Sequence, residues 1–172
     1  MGGGTMTGTL IRVGLGEIQV HKEPTQLTCV SVGACIAFAA LDPTSGVGAM
    51  AHFTFPRAQA QEPIEKPGHY IDVGIPALVR AMEDAGAERG RILVAYAGGA
   101  ILLNFGATEH QIGARNVAEV ETAVATTNLA VCARDVGGSC GRTVTLCTGS
   151  GEVLVRTVTA GDIKLCCLRA EE

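Results

Sequence analysis

At 172 residues, 47% hydrophobic and 3% aromatic, the chain is long enough for one sizeable core and leaves little room for a disordered tract. Its net charge of -4, with Lys and Arg scattered, excludes a basic nucleic-acid face, and no stretch approaches the roughly 20 apolar residues of a membrane span. The start carries neither a basic nor an apolar leader region, so a cytoplasmic protein is expected.

Residues Met1 to Gly8 are Gly- and Thr-rich and are set aside as a disordered or vector-derived N-terminus, leaving 9–170 as a single domain. Leu10 to Val13 and Glu17 to Val20 read as two short strands around the break Gly14-Leu15-Gly16. His21, beside Lys22 and Pro24, reads as a surface loop residue. Leu27 to Val32 is a strand that runs into Gly33-Ala34 immediately ahead of Cys35. A small-residue kink there frees backbone N–H groups from a ladder, so the amides of Ala34 and Cys35 are candidates for an oxyanion hole.

Two apolar runs follow, Cys35 to Leu41 and Val47 to Phe55, joined by the turn formers Asp42-Pro43-Thr44-Ser45-Gly46. They read as a β-hairpin. With Leu41 facing Gly46 across a four-residue loop, Cys35 falls directly opposite His52, and facing residues share one side of a sheet. A candidate nucleophile and a candidate base are thereby neighbours. The plainer alternative is a buried Cys and a hydrogen-bonded His that meet through register alone.

Arg57 to Gly68, with Pro63 and Pro67, is a loop long enough for a substrate-side flap. From Tyr70 the positions Val73, Ala77, Leu78, Ala81 and Met82 form a helical face ending at Asp84-Ala85-Gly86, with His69 near its exposed start. Arg91 to Tyr96 suits a strand buried on both faces, and Ala97-Gly98-Gly99-Ala100 after it lets another backbone approach closely; neither phosphate-loop pattern is present. Ile112 to Asn116 leads into a second helix with Val117, Val120, Ala123 and Val124, running to about Thr127. Leu129 to Val136 is a strand, Arg142 to Thr148 and Glu152 to Thr159 form a hairpin around Gly149-Ser150-Gly151, and Asp162 to Leu168 closes the chain. The order predicts a layered α+β fold with a mixed, largely antiparallel sheet packed on two helices.

Seven cysteines are an odd number at irregular spacing with no C-x-x-C, and no two histidines stand at ligand spacing. Reduced thiols are expected, with no metal centre. Cys132, Cys147, Cys166 and Cys167 lie in apolar runs and read as small buried hydrophobes.

Several separated segments together resemble one family. Gly33-Ala34-Cys35 with Gly48-Ala49-Met50-Ala51-His52, then Ala97 to Ala100, Ile112 to Asn116, Asp135-Val136-Gly137-Gly138 and Gly141-Arg142-Thr143-Val144, in this order from about Leu10 to Leu168, are similar to CheD, the chemoreceptor glutamine deamidases of bacterial and archaeal chemotaxis. The resemblance implies a three-layer fold related to the catalytic domain of the cytotoxic necrotizing factor toxins. It implies a Cys-His hydrolase acting on glutamine side chains of methyl-accepting chemotaxis receptors, with methyl-ester hydrolysis a further activity, and binding to the phosphatase CheC. Cys35 occupies the nucleophile position and His52 the base position. The third catalytic position, a threonine six residues before the cysteine, is Cys29 here. Thr28 is adjacent, but neighbouring strand residues point to opposite faces.

Glutamine deamidation needs a nucleophile, a proton carrier and a place for oxyanion charge. Cys35 attacks the side-chain carbonyl, an imidazolium at His52 lowering its pKa, and His52 protonates departing ammonia and then activates water against the thioester. No metal or organic cofactor is required. Two rival readings stand beside this one: a catalytically weak CheD-like module that binds CheC or receptor helices, and a Cys-dependent amidase on another protein.

Overall fold

The computed structural model describes residues 8–59, 64–101 and 107–169. The N-terminal stretch Met1 to Thr7, the centre of the loop after Arg57 and the last residues after Arg169 lie outside the described residues. Among the described residues, ten strands, β1 (Thr9–Arg12), β2 (Ile18–His21), β3 (Thr25–Val32), β4 (Ile36–Leu41), β5 (Gly48–Phe53), β6 (Leu93–Gly98), β7 (Ala130–Val136), β8 (Arg142–Cys147), β9 (Glu152–Thr157) and β10 (Gly161–Cys167), accompany helices α1 (Ile71–Asp84) and α2 (Ala107–Thr126).

Two five-stranded sheets form, in the orders β1-β3-β8-β9-β10 and β2-β5-β4-β6-β7. The pairs β1/β3 and β6/β7 are parallel and the rest antiparallel, as a mixed α+β reading expects. Alternate residues of the second sheet divide the core in two. Ile36, Phe38, Ala40, Ala51, Phe53 and Val94 meet the helices, whereas Ala37, Ala39, Leu41, Met50, Ala95 and Ala97 face Leu27, Val144, Leu146 and Val155 of the other sheet. Helices, sheet and sheet are thus three layers, and β4 and β5 lie in the middle one, buried throughout. Ala37, Ala39, Ala95 and Ala97 sit where the two sheets pack face to face.

Three sequence expectations are corrected by this packing. The buried face of α1 is Ile71, Gly74, Ile75, Leu78, Val79 and Met82, with Val73, Ala77 and Ala81 only half-buried. Gly74 sets that orientation, since a β-carbon there would lie 2.4 Å from the Phe53 ring. Cys147 is buried, but Cys132 is exposed and Cys166 and Cys167 are half-buried, because β7 and β10 are the outer strands of their sheets. His21 ends β2 instead of lying in a loop, with its Nε2 and the Gln19 Oε1 3.1 Å apart.

Candidate active site

The β4–β5 hairpin forms, but its register differs from the expected one. Ala37 stands opposite His52, and Leu41 opposite Gly48. The loop is six residues long because Asp42 holds it: the Asp42 amide donates to the Val47 carbonyl, and the buried carboxylate accepts from the amides of Thr44 and Ser45. The same carboxylate accepts from the Glu88 amide and the Arg91 guanidinium, which hold it well below the usual carboxylate range against the opposing effect of burial. Two extra loop residues move the partner of His52 by two, an even step that preserves the face. Cys35, one residue before the ladder, is therefore diagonal to His52 on one side of the sheet, a relation that spans somewhat less than about 7–8 Å between Cβ atoms.

That side is the layer between the two sheets. Cys35 lies in the bend Gly33-Ala34-Cys35 just before β4, half-buried against the inter-sheet core. Three successive carbonyls of this bend are taken by three donors: Gly33 by the Ala100 amide (2.9 Å), Ala34 by Asn116 Nδ2 (2.8 Å) and Cys35 by the Gly99 amide (2.9 Å). Among the described residues, no carbonyl accepts from the amides of Ala34 or Cys35. The separated motifs meet here for a steric reason. A β-carbon at Gly98 would lie 2.1 Å from the Cys35 carbonyl oxygen, and one at Gly113 would lie 2.6 Å from that of Ala100. Gly98 is held from behind in turn, its carbonyl accepting from the Gly137 amide and from Arg142, which also bonds Asp135 and the Gly137 carbonyl.

His52 is buried near the end of β5, and its Nδ1 lies 3.2 Å from the Val13 carbonyl oxygen. A carbonyl can only accept, so in the neutral imidazole the proton resides on Nδ1 and Nε2 keeps its lone pair. Nε2 is buried and has no hydrogen-bond partner among the described residues. The turn after β1 is fastened to β5 around this contact: the His52 amide donates to the Glu17 carbonyl and the Gly16 amide to the His52 carbonyl. Burial pushes His52 below its ordinary value, offset in part by the Val13 contact and the Glu17 carboxylate. Burial also pushes the Cys35 thiol up, its own amide pulling the other way. The expectation of an imidazolium that lowers the thiol is thereby reversed: enclosure between the sheets favours the neutral forms of both groups.

Cys29 lies in the same inter-sheet layer, but its Sγ is directed at the Ala51 carbonyl at 3.8 Å, and burial pushes its thiol far up. The imidazole is held through Nδ1 by the Val13 carbonyl. Thr28 offers no substitute, since its hydroxyl is engaged with Thr145 (2.9 Å) and the Val144 carbonyl on the other face. His69 is half-buried, with its Nδ1 3.3 Å from the Thr54 hydroxyl.

Two contributors escaped the sequence reading. The Val13 contact is a backbone carbonyl and leaves no signature in side-chain chemistry. Asn116 does leave one: it stands one helical turn before Val120 on the apolar side of α2, where a fully buried polar side chain demands a partner. A groove of about 730 Å³ opens beside Phe55, Tyr70, Arg115 and Glu119, but neither Cys35 nor His52 lines it. Among the described residues, no three His, Cys, Asp or Glu side chains are grouped to hold a metal ion, and no helix is long and apolar enough to cross a membrane.

A family model described as CheD chemotactic sensory transduction matches residues 55–157, a span that begins after His52. Relatives named "Probable chemoreceptor glutamine deamidase CheD" match over almost their whole lengths. That of Symbiobacterium thermophilum is 41% identical over 157 residues, covering 89% of this chain and 95% of the relative. That of Clostridium tetani is 33% identical (91% and 96% covered), and that of Methanococcus maripaludis 31% identical (86% and 94% covered). With the family model matching more than half the chain and relatives aligned over most of their lengths, the comparisons place the chain: it belongs to the CheD family.

Proposed function

We propose that this protein is a chemoreceptor glutamine deamidase, a cytoplasmic cysteine-dependent protein-glutamine glutaminase that converts receptor glutamine side chains to glutamate. The observation that carries this reading is the state of His52, with Nδ1 committed to the Val13 carbonyl and a buried Nε2 that has no partner among the described residues, on the face that Cys35 shares. As Sγ of Cys35 bonds to the amide carbon, its proton passes to His52 Nε2, so the charged pair forms only during attack. The oxyanion is received by the amides of Ala34 and Cys35, whose neighbouring carbonyls are already occupied. The C–N bond then breaks, and the imidazolium gives its proton to the leaving nitrogen to release ammonia. Water adds to the thioester, its proton going to His52. The C–S bond breaks, Cys35 recovers its proton, and glutamate remains. The Glu17 carboxylate stabilises the transient imidazolium through space.

Receptor helices are the substrate, and a CheC-type phosphatase is a second partner; family membership supports both assignments. In this scheme Cys29 is a spectator, because Val13 already holds the ring. The test is ammonia release from a glutamine-bearing receptor cytoplasmic fragment. Wild-type protein is expected to release ammonia and to yield glutamate by mass spectrometry, whereas Cys35→Ala and His52→Ala are not. Equal release by wild type and Cys35→Ala refutes the nucleophile assignment. An inert wild type that still binds receptor and CheC would identify a binding module instead.

A further inference from the structure

Asn116 is a fully buried polar residue on α2, and its side chain reaches the bend before β4 and the residue that follows β5. Nδ2 donates to the Ala34 carbonyl at 2.8 Å and to the Thr54 carbonyl at 3.1 Å. Both acceptors are carbonyls, which fixes the nitrogen toward them. Ala34 immediately precedes Cys35, and Thr54 is two residues beyond His52. The last rung of the β4–β5 ladder is Ile36 opposite Phe53. Beyond it the strands part, since the amides of Thr54 and Phe55 both turn to the His69 carbonyl. One amide group of Asn116 thus bridges the two chain segments where backbone pairing ends.

The opposite atom, Oδ1, is buried and has no hydrogen-bond partner among the described residues. An orphaned buried acceptor is unfavourable, and an apolar side chain would avoid it. Asn is therefore not explained by packing; its two N–H donors are. By occupying the Ala34 carbonyl from the side, they hold the bend open where ladder closure would otherwise draw Ala34 into a β4–β5 rung.

We infer that Asn116 is a positioning residue for deamidation, setting the separation of the Cys35 bend from the His52 strand through the Ala34 and Thr54 carbonyls. This rests on Cys35 and His52 being the reacting pair. Asn116 itself touches neither substrate nor the reacting atoms.

The experiment compares Asn116→Ala with Val120→Ala, a buried α2 residue that contacts neither strand end by hydrogen bond. Both variants are assayed for kcat, KM and the pH profile of Cys35 alkylation by iodoacetamide, under conditions where circular dichroism reports full folding. Asn116→Ala is expected to lower kcat about 10- to 100-fold, the scale of an ångström-sized misplacement, with KM within about twofold and a displaced alkylation profile. Val120→Ala is expected to lose stability alone. Wild-type kcat and alkylation in Asn116→Ala overturn the inference, as does an equal kcat loss in Val120→Ala. If Asn116→Ala does not fold, the wild-type protein decides: carboxamidomethylation of Cys35 is expected to shift the side-chain amide resonances of Asn116, and unmoved resonances overturn the inference. Full activity in Cys35→Ala would sink the nucleophile assignment instead, which keeps the two failures distinct.

Discussion

Replacing Gly98 with Ala presses on the nucleophile from behind. Gly98 has φ +132°, where a side chain is strained, and the new β-carbon would stand 2.1 Å from the Cys35 carbonyl oxygen and 2.9 Å from Val32 Cγ1. Side-chain carbons do not come within about 3.0 Å of a backbone oxygen, so roughly 0.9 Å must be recovered. Gly98 cannot readily retreat, because its own carbonyl is held by the Gly137 amide and Arg142. The Cys35 carbonyl must move instead, and with it the 2.9 Å bond from the Gly99 amide. Backbone strain and overpacking together are expected to cost about 3 kcal/mol, lowering Tm by roughly 6–12 °C for a domain of this size. An ångström-scale shift of Cys35 is expected to reduce kcat about 100-fold. The assay is ammonia release at 25 °C, normalised to the folded fraction from circular dichroism. Gly161→Ala is the control, with φ +56° and no atom near the new carbon. It is expected to cost about 1–2 kcal/mol of strain and leave kcat unchanged. If Gly98→Ala keeps kcat within about threefold of this control, the packing of Gly98 does not place the nucleophile.

Cys29→Ala is expected to leave kcat within about threefold in the same assay, because the Val13 carbonyl holds the imidazole; a loss beyond about 100-fold would return the orienting role to position 29. Asp42→Ala removes the buried carboxylate that closes the β4–β5 loop and faces Arg91, and is expected to cost about 3 kcal/mol in urea unfolding at pH 7. Because the Asp42 pKa is depressed by folding, its contribution is present above about pH 4 and lost as pH falls further, so the difference between wild type and variant should shrink in acid. His52 acts in a higher window. Its folded pKa is also depressed, so the unfolded chain binds the proton more readily, and stability should decline as pH drops below about 6.5. His52→Gln is expected to flatten that part of the curve, and an unchanged slope would refute burial as the cause. Iodoacetamide titration of Cys35 should give a midpoint above that of a free thiol; a midpoint below pH 7 would indicate a standing thiolate–imidazolium pair.

The strand and helix order was legible in the sequence because apolar periodicity and glycine-rich breaks report local structure directly. The face shared by Cys35 and His52 was legible for a related reason: side chains alternate with period two, so any even error in register leaves the pairing on the same side. The rung itself was not. It depended on how Asp42 folds the loop, and the Glu88 amide and Arg91 that complete its coordination come from a distant part of the chain. The glycine motifs announced close approach, but only the packed layers reveal that Gly98 abuts Cys35 and Gly113 abuts Ala100. The protonation states were likewise beyond reach, since composition does not say that the pair is enclosed between two sheets, where desolvation favours neutral thiol and imidazole. The Val13 carbonyl marks the limit most clearly. Every residue but the last carries a peptide carbonyl, so the one that orients His52 is chosen by chain path alone, through the turn that fastens Gly16 and Glu17 to β5.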